Sequence, residues 1–136
     1  MLIAGDIGGT KTDLAIFSRE TGALAPIAET KVHSAHYSSL EEIVKEFVAK
    51  AQVTVDRACF AVAGPVIEGK VKATNLPWVI EENLLAQQLD LRKDHVKVIN
   101  DLEAIARAVP ILRPKDVVTI NDGEAITSGT IAVIPS

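Results

Sequence analysis

The stretch GDIGGTKTD, residues 5–13, constrains the fold more than any other part of the chain. Gly8 and Gly9 sit between two apolar runs, Leu2 to Asp6 before them and Asp13 to Phe17 after them. Two adjacent glycines permit backbone shapes closed to other residues, so the pattern reads as strand, glycine turn, strand. The spacing nearly satisfies a Walker A loop, with Gly5, four residues, then Thr10, Lys11 and Thr12. Such a loop needs glycine immediately before its lysine and a helix after it, whose N-terminus faces the phosphates. Here Thr10 stands in place of that glycine and a strand pattern follows, so the P-loop reading fails. The dinucleotide fingerprint G-x-G-x-x-G is absent as well. A strand–GGT–strand hairpin can still bind phosphate, because its consecutive N–H groups form an anion nest. Thr10 adds a hydroxyl donor and Lys11 a positive charge. Asp6, beside that nest, would repel phosphate unless a Mg2+ ion lay between them, held by Asp6 directly or through water.

Downstream of the turn the pattern alternates between strand and helix. Arg19 to Gly22 reads as a hairpin turn, and a third strand is expected over Leu24 to Val32, near an edge because of Pro26. Leu40, Ile43, Val44, Phe47, Val48 and Ala51 recur at helical spacing, with Ser39 and Glu42 placed as a capping box. Ala58 to Ala63 is a continuous apolar run ending at Gly64 and Pro65, as expected of a strand buried on both faces. Val66 to Thr74, centred on Glu68 and Gly69, reads as a hairpin, and Glu81 to Leu89 as a second helix. Val96 to Ile99 is a strand, followed by a short helix on Leu102, Ile105, Ala106 and Val109 that Pro110 ends. Val117 to Ile120 and Thr130 to Ile134 read as two final strands joined through Asn121 to Gly123. Antiparallel strands first and β–α alternation afterwards predict the α/β class, with a mixed sheet covered by helices.

Composition narrows the function. At 136 residues and 48% hydrophobic, with a net charge of −4, the chain fits one domain with a substantial core and does not fit disorder. The 14 basic residues against 18 acidic ones argue against a nucleic-acid surface. No apolar run approaches the ~18 residues of a membrane span. The opening MLIAGDIGG lacks the basic region of a secretory leader. Cys59, the single cysteine, reads as a buried small hydrophobe and fits a reducing, cytoplasmic setting. His33 and His36 have no companion residues suited to a metal. The chain stops at Pro135 and Ser136, just after an expected strand, and is therefore read as part of a longer one.

Two further places carry chemistry. Asn100 and Asp101 join a strand end to a helix start, where side chains of α/β sheets reach the ligand crevice. The helix N-terminus favours an ionised Asp101, able to take a proton from a substrate hydroxyl with Asn100 as its uncharged partner. Asn and Asp are also the preferred helix caps, and from the residues alone the cap reading comes first. Asn121 and Asp122, followed by Gly123 and no helical pattern, are a turn. In the polar loop Thr74 to Trp78, Asn75 can hydrogen-bond a sugar hydroxyl and Trp78 can pack beneath.

With these segments in hand, the chain resembles the bacterial glucokinase family of the sugar kinase and actin superfamily. GDIGGTKTDLAIF looks like that family's first phosphate loop, AVAGPV with ATNLPW like its sugar-side loop, and VINDLEAIARAVP like the segment carrying its catalytic Asp. NDLEA, where the related repressor, open-reading-frame and kinase group usually shows NDANAA, favours the glucokinase branch. No helix-turn-helix segment stands ahead of Gly5, which argues against a sugar-responsive repressor. The resemblance implies a ribonuclease H-like lobe with a mixed five-stranded type of sheet. It implies ATP-dependent phosphorylation of glucose at the 6-hydroxyl, with ATP and Mg2+ required. Carried over by position, Gly5, Asp6, Gly8, Gly9 and Thr10 line the ATP phosphates, with Lys11 in the same loop but not obligatory. Asp6 holds the Mg2+ through water, Asp101 is the general base, Asn100 and Asp101 bind the sugar, and Asn75 is a further sugar contact. Residues 1–136 are then the N-terminal lobe, with half an active site and little turnover alone. The partner implied is the C-terminal lobe of the same protein, and the family's habit is a homodimer, with no nucleic acid or membrane involved. Two other readings are a non-catalytic actin-like module that senses nucleotide or sugar, and a kinase for another hexose on the same scaffold.

Overall fold

The computed structural model describes residues 1–124 and 126–134. The glycine turn folds the chain back as its sequence requires. Strand β1 (Leu2–Ile7) pairs antiparallel with β2 (Lys11–Phe17), Ile7 lying opposite Thr12. Strand β3 (Ala28–His33) adds antiparallel to β2 and starts later than the expected Leu24. Pro26 has no N–H to extend the ladder, and Leu24 is left exposed. Helix α1 (Leu40–Ala51) buries Leu40, Ile43, Val44 and Phe47. Ser39 Oγ accepts the Glu42 N–H at 3.3 Å, while the Glu42 carboxylate turns to the N–H and hydroxyl of Ser38 at 2.9 and 2.8 Å. The expected box is thus closed one residue early, and these bonds hold the Glu42 carboxyl below the usual carboxylate range.

After α1 the chain returns as β4 (Arg57–Val62), parallel to β1. A two-stranded hairpin, β5 (Lys70–Lys72) and β6 (Val79–Glu81), and helix α2 (Glu82–Leu89) then lead to β7 (Val96–Asn100), parallel to β4. Helix α3 (Asp101–Ala108) follows at once and gives way to a 3-10 turn through Pro110. The main sheet has five strands in the order β3-β2-β1-β4-β7, antiparallel through β1 and parallel beyond it. It is the expected mixed α/β sheet flanked by helices.

Three expectations need correction. The expected turn at Glu68 and Gly69 is present, at φ 52° and 74°, with Ile67 and Lys70 exchanging both backbone bonds across it, but the hairpin does not extend beyond that one bridge. The paired strands meet instead across the Thr74–Trp78 loop. Nor is β4 buried on both faces. Ala58, Phe60 and Val62 are buried against α1 and α2, whereas Cys59 and Ala61 are half-buried on the other face, near α3. Finally, Val117 to Ile120 and Thr130 to Ile134 form no strands, and Val118 and Ile120 are 86% and 97% exposed. A strand needs a neighbour, and on β7, at the sheet's end, Glu82 Oε1 already accepts the Val98 N–H at 3.0 Å. Pro135 and Ser136 lie outside the described residues. Among the described residues no helix is long and apolar enough to cross a membrane.

The core lies on one side of the sheet. Ile3, Leu14, Ile16, Phe60 and Val98 from the strands meet Leu40, Ile43, Val44 and Leu85 from α1 and α2 in one buried cluster. Trp78, 3% exposed, joins it beneath its loop.

Candidate active site

Because β1, β4 and β7 are parallel neighbours, their C-terminal ends open at the same edge of the sheet. The glycine turn follows β1, the Ala63–Pro65 bend follows β4, and Asp101 follows β7. Open α/β sheets bind ligands at such an edge. The loops are laced to one another. A Cβ on Gly9 would stand 2.9 Å from Asn75 Cβ and 3.1 Å from the Thr74 carbonyl oxygen, so only glycine lets the turn lie against the Thr74–Asn75 loop. Asn75 itself is exposed and adopts a left-handed φ of 62°. Thr74 donates both its N–H and its hydroxyl to the Ala63 carbonyl, at 3.1 and 2.9 Å. Asn100 Nδ2 donates to the Gly64 carbonyl at 2.8 Å.

Within the turn, the Gly8 N–H donates to the Lys11 carbonyl at 2.9 Å. The N–H groups of Gly9 and Thr10 find no acceptor among the described residues. They are therefore ready donors for an anion. Thr10 and Lys11 are exposed at the tip. Gly5 is placed differently. It lies inside β1 on the core side, where a Cβ would come within 2.7 Å of Leu14 Cδ2 and 2.8 Å of Phe60 Cδ1. Its missing side chain makes room for the core, and the structure does not bring it to the turn.

The acids gather on the open face. Asp6 sits opposite Asp13 in the β1–β2 register, and Asp13 pairs with Lys31 at 3.2 Å. Although the Asp6 side chain reaches the surface, its carboxyl is pushed above the usual range. Partial withdrawal from water is the largest cause, repulsion by Asp13 and then Asp101 adds to it, and Lys31 opposes it. Asp101 begins α3, and its Oδ1 accepts the Leu102 N–H at 2.9 Å. Its Oδ2 has no protein donor among the described residues. Asn100 Oδ1 also accepts the Leu102 N–H, at 3.0 Å, so the cap role of Asn100 is real. Only one of its amide hydrogens is left over for a ligand.

A depression of about 650 Å³ runs along β1 to β3 on the open face, lined by Ala4, Ala15 and Phe17 among others. It meets the site only through Asp6 and Asp13; Gly8 to Thr10 and Asn75 lie outside it. The chemistry is at the sheet's edge instead. Sequence reasoning missed Ser34 and Thr12, which are fully buried behind the turn, and the tie from Asn100 to Gly64.

A sequence model of the glucokinase family matches residues 3–136. A glucokinase from Nostoc punctiforme is 35% identical over 136 residues, an overlap of 98% of this chain and 39% of the relative. The fold is similar to the crystal structure of a glucokinase from an Antarctic psychrotroph, with TM-score 0.75 and 30% identity over 93% of this chain and 40% of that one. It is also similar to a ROK family glucokinase from Streptomyces griseus, solved with glucose and AMPPNP, at TM-score 0.58 and 26% identity. That overlap covers 77% of this chain and 34% of the other. The chain thus spans about 40% of the length of the curated relatives it matches. Since the family pattern holds from Ile3 onward and its three motifs meet at one edge of the sheet, this chain belongs to the glucokinase family.

Proposed function

We propose that the whole protein transfers the γ-phosphoryl group of ATP to the 6-hydroxyl of glucose, and that residues 1–136 are its N-terminal lobe. One observation carries this reading: the free amides of Gly9 and Thr10 and the carboxylate of Asp101 emerge at the same edge, from parallel neighbouring strands. The amides, with the Thr10 hydroxyl and Lys11, would hold phosphate oxygens. Asp101, with Oδ1 tied to the Leu102 N–H, would turn Oδ2 to the sugar hydroxyl, and Asn100 and Asn75 would orient the ring. As the sugar oxygen bonds to the γ-phosphorus, the bond to the β–γ bridging oxygen breaks and the hydroxyl proton passes to Asp101. A carboxylate is a weak base, which suffices when the proton leaves late in a loose transition state and positioning carries most of the catalysis.

The residues fit a magnesium ion. Asp6 lies beside the phosphate nest, and the repulsion it feels from Asp13 and Asp101 would be eased by a cation held at Asp6 through water. One carboxylate acting through water, with phosphate oxygens filling other positions, is an ordinary magnesium environment. When bound, the ion would neutralise charge on the phosphates. The relatives support the reading: glucokinases match along the whole chain, and the Streptomyces griseus structure holds glucose and AMPPNP. We assign the remaining contacts, including those for adenine, to a C-terminal lobe, and expect little turnover from residues 1–136 alone.

The test is ADP release by the full-length gene product with ATP and Mg2+. Release with glucose and none with 6-deoxyglucose supports transfer to the 6-hydroxyl. Release only with another hexose keeps the site and changes the substrate. Silence with every sugar, in a protein that binds ATP, overturns the kinase reading in favour of a sensor.

A further inference from the structure

We infer that Ser34, which belongs to none of the three motifs, is a positioning residue for the glycine turn: its buried hydroxyl sets the Gly8–Gly9 peptide so that the Gly9 N–H faces the crevice. The inference rests on the reading of that turn as a phosphate site. Ser34 and Thr12 are both 0% exposed. Ser34 Oγ donates to the Gly8 carbonyl at 2.9 Å, and its N–H donates to the Thr10 carbonyl at 3.0 Å. One residue therefore grips the turn at two carbonyls, from the core side.

The proton arrangement follows from the count of hydrogens. Ser34 has a single hydroxyl proton, and it is spent on Gly8. The 2.9 Å contact between Thr12 Oγ1 and Ser34 Oγ must then be a donation from Thr12. The result is a directed relay, Thr12 to Ser34 to Gly8, in which both hydroxyl residues are buried. In a hairpin of this length the Lys11 N–H would ordinarily bond the Gly8 carbonyl, yet among the described residues that bond is not formed. The carbonyl is committed to Ser34 instead. No peptide bond in the described chain is cis. In a trans peptide the C=O and the following N–H point in opposite directions. A Gly8 carbonyl drawn toward the core thus turns the Gly9 N–H away from it, toward the side where Asp6 and Asp101 lie. Without the relay that peptide is free to flip, and the nest loses a pre-aimed donor.

The test uses the full-length protein and measures affinity for MgATP, adenosine and glucose, together with KM for ATP and for glucose. Ser34→Ala should weaken MgATP binding about five- to tenfold and raise KM for ATP to match, as loss of one hydrogen bond implies. Adenosine, which lacks phosphates, and glucose should bind within about twofold of the parent. Thr12→Val should weaken MgATP about two- to fivefold, and Thr12→Ser, which keeps the hydroxyl, should restore it. MgATP affinity unchanged in Ser34→Ala, or weakened in step with adenosine and glucose, overturns the inference. If Ser34→Ala does not fold, the Thr12→Val and Thr12→Ser pair decides by the same comparison. A parent protein that binds MgATP no better than adenosine overturns the phosphate-site reading itself, a result separate from any difference between variants.

Discussion

The two faces of the sheet have divided the work of the molecule between them. One face is sealed: Ile3, Ile16, Phe60 and Val62 are fully buried there under α1 and α2. The other is open along β1 to β3 and carries the charged groups Asp6, Asp13 and Lys31, with α3 beside them over β4 and β7. Alternation along a strand makes this division possible, since neighbouring residues face opposite ways. Stability and chemistry are thereby one residue apart in sequence, yet separated by the thickness of the sheet. The Thr12–Ser34 relay is where the sealed face reaches through to aim a group on the working edge.

Substitutions on the two faces should differ accordingly. Phe60→Ala should lower unfolding free energy by about 3–5 kcal/mol, the usual cost of emptying a closed core. Cys59→Ser, next to it on the open face, should cost under about 1 kcal/mol in the same denaturation experiment. Equal losses would show that the open face is sealed too. At the end of the sheet, Glu82→Ala leaves the Val98 N–H without its buried acceptor and should cost about 1–3 kcal/mol. Faster hydrogen exchange at the Val98 amide would locate that loss.

Asp6 sharpens the contrast by its sign. Its carboxyl is raised in the folded protein, so ionising it there opposes folding. The penalty is present at neutral pH and vanishes as pH falls below the ordinary carboxylate range, where both states are protonated. Asp6→Asn should therefore raise the melting temperature at neutral pH, with the gain fading on acidification. A gain that persists at low pH would mean that packing, not charge, is the cause. The smallest effect belongs to the region outside the sheet: Ile120→Ser, at a residue 97% exposed, should change stability by less than about 0.5 kcal/mol. A larger loss would reveal a partner for Ile120.

What could be read from the sequence follows the same division. Strands β1, β2 and β7 and helix α1 were legible because local pattern and burial agree there, while β4 was legible as a strand but not in which of its faces is covered. Pro26 betrayed an edge strand, but not that the ladder would wait until Ala28. The turn at Glu68 and Gly69 was legible from its strong local signal, but the main pairing was not, since the choice of β6 as partner for β5 is made across a loop. Val117 to Ile120 has the composition of a strand and lacks a neighbour, which no local pattern reveals. At the site, Asp6 and Gly8 to Thr10 stood out through spacing and chemical type, whereas Asp101 was separated from an ordinary helix cap only by the family resemblance. Ser34 did not, since a serine becomes informative only once its hydroxyl is buried against a carbonyl 26 residues away.

The most direct test of the account is turnover by Asp101→Asn in the full-length protein, read beside its affinity for glucose. If Asp101 takes the hydroxyl proton, ADP release should fall about 10²- to 10⁴-fold, while glucose binds within a few-fold of the parent. Undiminished ADP release from a correctly folded Asp101→Asn protein would contradict the account.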